Sequence, residues 1–170
     1  MGVLTRDAIL AELEAGRLVV TPFEMYQLGA SSIDLTLGDE IRVIDSGADP
    51  IDVRAEADYR DHTTLQRLDA PYVLDPGCTI HGITRERIAL PSDLCGLLEG
   101  RSRFARLGLA VHVTAGFMQP GIANRQVLEM VNMGHTPLAV YPQTKICQMI
   151  FIRCEGKARY RGRFRAQKTP

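Results

Sequence analysis

The chain has 170 residues, 45% of them hydrophobic and 24% charged. That suits one domain, 1–170, with a real core, and excludes a disordered chain. Lys plus Arg and Asp plus Glu both number 20, so no overall charge draws the chain to nucleic acid or an anionic membrane.

Charge is uneven along the chain. Residues 39–61 are rich in Asp and Glu, whereas Lys157 to Lys168 holds four Arg and two Lys without an acid. A basic tail over 157–170 suits a polyanionic ligand, and simple solvation accounts for it equally well. No apolar stretch reaches the roughly 20 residues needed to span a bilayer. The N-terminus has acids inside its apolar pattern, unlike a signal peptide. Cys78, Cys95, Cys147 and Cys154 are widely spaced, three of them within apolar runs, as expected of reduced thiols in a cytoplasmic protein.

In chain order, Thr5 is placed to cap a first helix in which Ile9, Leu10 and Leu13 share a face, Asp7 lies in the first turn and Gly16 stops it. Leu18–Thr21 reads as a strand. Ser31–Gly38 alternates, with Ile33, Leu35 and Leu37 on one face and Asp34 on the other; Ile41–Ile44 continues the pattern. Asp45–Asp69 is acidic and weakly periodic, a long loop by this reading. Short apolar runs follow at 72–74, 78–80, 87–90, 94–98, 109–114, 126–131, 137–141 and 146–153, and a helical turn is expected over 102–107. Many short strands with frequent turn signals predict an all-β sandwich or barrel.

Two features carry chemistry. In Gln126-Val-Leu-Glu-Met-Val131 the carboxylate of Glu129 shares a strand face with Val127 and Val131. Apolar surroundings raise a carboxyl pKa, so Glu129 is a candidate general base, although an edge-strand Glu paired with an Arg fits the same pattern. Gly100-Arg-Ser-Arg-Phe-Ala-Arg106 sets guanidiniums and a hydroxyl at the start of a helical turn, an arrangement that suits phosphate; a solvated basic turn is the alternative. Asp34 repeats the logic of Glu129 less sharply. Phe117 and Met118 read as pocket wall or core. No P-loop, dinucleotide fingerprint or G-x-S-x-G elbow occurs. His62, His81, His112 and His135 lack metal-ligand spacing, and neither the His-x-Glu nor the Cys-x-x-Cys of a zinc deaminase is present.

Gly100-Arg-Ser-Arg-Phe-Ala-Arg-Leu-Gly-Leu109, Val111-His-Val-Thr-Ala115, Pro120-Gly121 and Val127-Leu-Glu129 together resemble the signature of the dCTP deaminase family, in the trimeric dUTPase superfamily. Leu4–Ile9, Ala30–Gly38 and Tyr160–Gln167 are similar to its opening, first motif and closing segment. The resemblance implies a distorted jelly-roll (a dUTPase-like β-clip) assembled as a homotrimer with sites shared between subunits. It implies deamination of dCTP to dUTP and ammonia without zinc. Glu129 would activate the water, with Ser102, Arg106 and the Ala115 carbonyl positioning it. Arg101, Ser102, Arg103, Val113, Thr114, Gln119, Gln148, Tyr160 and Gln167 would bind the nucleotide, usually with Mg²⁺ on its phosphates.

Gly116-Phe-Met-Gln119 departs from the family pattern. The Gly-Phe pair and Gln148-Met-Ile150 lean toward the bifunctional deaminase–dUTPases, which yield dUMP and pyrophosphate. Gln119 replaces the Asp that dUTPases use near the sugar and attacking water, and an amide is no base. A non-catalytic nucleotide-binding protein is the remaining alternative. The few residues after Gln167 imply weaker closure over the triphosphate.

Overall fold

The alternating segments build long antiparallel strands rather than many short ones. A computed structural model describes residues 2–47, 49–165 and 167–170. Helix α1 (Arg6–Glu14) is followed by β1 (Val19–Thr21), β2 (Ser32–Ile44), β3 (Thr63–Arg67), β4 (Tyr72–Leu74), β5 (Thr79–Ala89) and β6 (Leu94–Gly100). The short helix α2 (Ser102–Ala105) leads to β7 (Leu109–Ala110), β8 (Phe117–Met118), β9 (Ala123–Asn132), β10 (Leu138–Val140) and β11 (Lys145–Arg153).

Among the described residues one nine-stranded sheet has the order β7-β9-β5-β2-β11-β6-β8, with β1 joined to β5 and β3 to β2. β4 and β10 form a separate ribbon. The sheet curls on itself into the distorted all-β architecture expected, with one short N-terminal helix.

Several sequence expectations need correction. The segments 31–38 and 41–44 are one strand: the start of β2 pairs with β11 and its end with β3 and β5, and a register shift between Leu37 and Ile41 replaces a turn. Residues 78–80 and 87–90 likewise belong to one strand. Its polar middle bulges between Ile83 and Arg87, and the buried Thr84 hydroxyl bridges the distortion, donating to Glu86 O at 2.8 Å and accepting from Gln126 N–H at 2.9 Å. Residues 45–69 are not all loop, because Thr63–Arg67 adds to the edge of β2. Thr5 precedes α1 in extended conformation, but its side chain makes no capping bond. Only Leu109 and Ala110 of the expected strand 109–114 pair with β9; the rest turns over the sheet as a loop.

The core face of the sheet carries Ile33, Leu35, Leu37, Leu128, Met130, Met149 and Phe151, all fully buried. Each such side chain contributes about 1.5–3 kcal/mol relative to exposure. β9 alternates strictly, so burying Leu128 and Met130 turns Val127, Glu129 and Val131 to the opposite, half-exposed face. The candidate base therefore projects away from the core.

Candidate active site

That second face forms the floor of a cavity of about 470 Å³. Glu129 lines it with Ala115, Gln119, Tyr160 and Gln167, as well as His81, His112, Tyr59 and Phe164. Phe117 and Met118 are wall residues, as expected. The loop freed from β7 places Thr114 over Glu129, where the backbone N–H and the hydroxyl donate to carboxylate Oε2 at 2.9 and 3.0 Å. Among the described residues no donor meets hydrogen-bond geometry at Oε1, although the Val113 N–H lies near the carboxylate. Gly116 packs closely under His112: a Cβ there would lie 2.5 Å from Nε2 and would push the imidazole out of its present position.

The carboxyl of Glu129 behaves otherwise than its sequence surroundings suggest. Desolvation by burial is the largest single influence and pushes its pKa up. The Thr114 N–H and hydroxyl, the nearby His112 and the Val113 N–H together outweigh it, so the pKa lies below the ordinary value. The expectation of a raised pKa is corrected: strand alternation displays the apolar neighbours but hides the donors, which come from a loop where the apolar run 109–114 predicts strand. Glu129 is ionised at neutral pH, with one oxygen fixed and the other open.

The basic tail is part of the wall, not a solvated appendage. Ala158 N–H donates to Ser92 O and Tyr160 N–H to Pro120 O, both at 2.8 Å. The Asn124 side chain holds Phe164 O at 2.7 Å. Arg125 N–H reaches Gln167 O at 3.4 Å. Tyr160, Phe164 and Gln167 are thereby held across the cavity.

The phosphate-binding candidates stand elsewhere. Arg101 pairs with Asp34 at 3.1 Å and donates to Lys145 O at 3.0 Å. Gln148 lies opposite Asp34 on β2 and Glu99 on β6, accepts from Ser32 Oγ at 2.8 Å and donates to Gly100 O at 3.3 Å. Lys145 lies 3.9 Å from Asp34 and 4.5 Å above the Tyr26 ring. This second group is preorganised and cationic. Asp34 here orients Arg101, so the reading of Asp34 as a counterpart of Glu129 does not hold. Ser102, Arg103 and Arg106 project to solvent from α2, and none lines the cavity within this chain. Val113 is exposed beside Thr114.

Sequence reasoning missed four residues. His81 and His112 lack metal-ligand spacing, yet both line the cavity; strand pairing brings His81 there and the loop after β7 brings His112. Lys145 lies at the start of β11, and nothing in its local sequence distinguishes it. The wholly buried Glu86 also escaped notice: it accepts from the Gln27 side chain at 2.9 Å and Thr36 N–H at 2.8 Å beneath the sheet. Its position between Arg85 and Arg87 reads as a solvated charge run.

Comparison with known proteins places this arrangement. A family model described as dCTP deaminase-like matches residues 3–154. A protein of Leifsonia xyli named "dCTP deaminase, dUMP-forming" is 39% identical, covering 99% of this chain and 88% of its own length. One of the same name from Methanobrevibacter smithii is 36% identical, with 89% and 80% covered. Among solved structures, the 2'-deoxycytidine 5'-triphosphate deaminase of Agrobacterium tumefaciens superposes with a TM-score of 0.68 at 24% identity, over 88% of this chain and 48% of that one. A dUTPase from phage phi11 of S. aureus superposes with a TM-score of 0.55 at 11% identity, over 86% and 96%. These two show the shared fold. With the family model spanning most of the chain and relatives matching over 80–88% of their own length, the chain belongs to the dCTP deaminase-like family.

Proposed function

We propose that this protein deaminates dCTP at the Glu129 cavity and carries the product on to dUMP and pyrophosphate. The observation that carries the first step is the asymmetry of Glu129. Thr114 holds Oε2, so the carboxylate is ionised and oriented, while Oε1 is free to take a proton from water. The water oxygen attacks C4 of the cytosine. The attack shifts the C4=N3 electron pair onto N3. The water proton collected by Glu129 passes to the exocyclic nitrogen, the C4–N bond to it breaks and ammonia leaves, while the second water proton ends on N3 as the C4 carbonyl forms. Positioning and fixed dipoles from the 113–115 loop lower the remaining barrier.

Continuation to dUMP is favoured by the relatives, which are named as dUMP-forming. This shifts the emphasis from release of dUTP, the first expectation from sequence. One observation favours stopping at dUTP: Gln119 lines the cavity and cannot act as a base.

The triphosphate would be gripped by Arg101 and Gln148 together with Ser102, Arg103 and Arg106 on α2. That grip and the Glu129 cavity do not meet within one chain, which supports a homotrimer whose sites join two subunits. Leu107 and Met133, 64% and 73% exposed, lie on segments tied together near α2 by the Met133 N–H bond to Gly108 O at 2.8 Å, and both offer apolar surface to a neighbouring subunit. Among the described residues no three His, Cys, Asp or Glu side chains gather as a metal cage. An Mg²⁺ ion carried by the triphosphate fits such a site, since it takes its ligands mainly from phosphate and water. Its chemistry there is to neutralise phosphate charge.

The test is to incubate purified protein with dCTP and Mg²⁺ and separate the products by chromatography. Ammonia with dUMP and pyrophosphate supports the full reading, and ammonia with dUTP supports deamination alone. Tight binding without turnover overturns both.

A further inference from the structure

His81 lies on β5 directly opposite Glu129 on β9 and directly opposite Arg42 on β2. Residues so paired in antiparallel strands project from the same face, with Cβ atoms about 4.5–5.5 Å apart. Arg42, His81 and Glu129 thus form one rung of the sheet: cation, imidazole, carboxylate. The Tyr59 ring stands edge-on to the imidazole at a centroid distance of 5.8 Å, and the Arg42 guanidinium lies 5.7 Å from the same tyrosine ring. His81 and Glu129 line the same cavity.

The imidazole is poorly served as a structural residue. Its Nδ1 is buried without a hydrogen-bond partner among the described residues. Such an atom lowers stability, and an apolar side chain on this rung would avoid the loss. Packing therefore does not account for a histidine here. The unpartnered Nδ1 is best tolerated as the bare nitrogen, which assigns the ring proton to Nε2.

We propose that His81 is a positioning residue for Glu129: as the neutral ring it orients the attacking water through Nε2–H, and as the cation it pairs with Glu129 and withdraws the base. The inference rests on the deaminase reading of this cavity. The groups facing the ring are Glu129 on β9, Arg42 on β2 and Tyr59 from the turn before β3, with His112 lining the same cavity. Burial pushes the His81 pKa below its ordinary value, the Glu129 carboxylate opposes this and Arg42 reinforces it. His81 is consequently neutral at pH 7 and becomes cationic only in acid. Both His81 and Glu129 titrate below their ordinary values, and the proposed role requires His81 to take its proton first.

The test combines kinetics with a direct titration. The acid limb of kcat/KM for dCTP in the native protein should fall about tenfold per pH unit below the His81 midpoint, as for loss of a single essential state. In His81→Leu that limb should move to lower pH. The alkaline plateau should drop by less than the roughly hundredfold that separates a residue transferring the proton itself. The same variant should melt at a higher temperature, since the orphaned Nδ1 is gone. NMR titration of the histidines should give a His81 midpoint matching the kinetic limb, and in Glu129→Gln that midpoint should fall.

A pH profile of His81→Leu superimposable on the native one sinks this role alone, as does a His81 midpoint indifferent to Glu129→Gln. Absence of dCTP turnover by the native chain sinks the deaminase reading and this role with it.

Discussion

Thr114 donates twice to one oxygen of Glu129, through its backbone N–H at 2.9 Å and its hydroxyl at 3.0 Å. A carboxylate held this way is charged and immobile on one side and open on the other. A base that collects a proton from water at neutral pH needs that division of labour.

Glu129→Gln keeps the shape of the side chain and the bonds from Thr114 through its amide oxygen, but cannot take a proton. Deamination of dCTP should fall by about 10²–10⁴-fold in kcat, the usual contribution of a positioned base. Nucleotide affinity, read by calorimetry, should change little because the phosphate grip is elsewhere. Activity retained in full would remove Glu129 from its role.

Thr114→Val removes the hydroxyl donor and leaves the N–H in place. Donors to a carboxylate favour its charged form, so their loss raises its pKa. The ¹³C titration midpoint of the Glu129 carboxyl should therefore move upward from its depressed value toward the ordinary one. An unchanged midpoint would show that the N–H of residue 114, His112 and Val113 hold the charge without help from this hydroxyl.

Arg101 is preset by Asp34 at 3.1 Å and still has donors to offer. Arg101→Ala should raise KM for dCTP by about 10–100-fold, corresponding to the 1.5–3 kcal/mol of a charge-assisted hydrogen bond, with a smaller effect on kcat. Equal loss in kcat and unaltered KM would place Arg101 in the chemical step instead.

Gln119 lines the cavity where a carboxylate would be available to a second hydrolysis. Gln119→Asp should raise pyrophosphate release from dUTP relative to the native chain, measured by coupled phosphate assay with Mg²⁺ present. If the rate with dUTP does not change, Gln119 does not limit that branch.

Glu86 is buried beneath the sheet, its oxygens taken by Gln27 Nε2 at 2.9 Å and Thr36 N–H at 2.8 Å. Glu86→Leu would strand both donors, at a cost of about 1–3 kcal/mol for each. The urea midpoint should drop accordingly with little change in slope. An unshifted midpoint would mean that the bulge of β5 relaxes and the donors find other acceptors.

How much of this could be read in advance varied by element. The apolar alternation of Ile33, Leu35 and Leu37 identified the core face of β2 correctly, and Val127, Glu129 and Val131 do share a face. Apolar runs alone misled where polar residues sit inside a paired strand: 78–80 and 87–90 read as separate runs, and the Thr84–Glu86 segment between them is a bulge satisfied by buried bonds. Residues 63–67 were lost in the acidic stretch because their partner, β2, lies some twenty residues away in sequence.

Amino-acid order by itself determined the fold class, the separation of a basic turn from an apolar-flanked acid, and the family motifs. These depend on periodicity and on residue type over short windows. Only the tertiary structure decided the charge state of Glu129, since its donors come from a loop fifteen residues earlier and depend on where the chain leaves β7. Tertiary structure also set His81 beside that base and laid the tail over the cavity. Strand pairing joins residues far apart in the chain, and a hydrogen bond or a charge acts through space over a few ångströms, a proximity that sequence spacing does not encode.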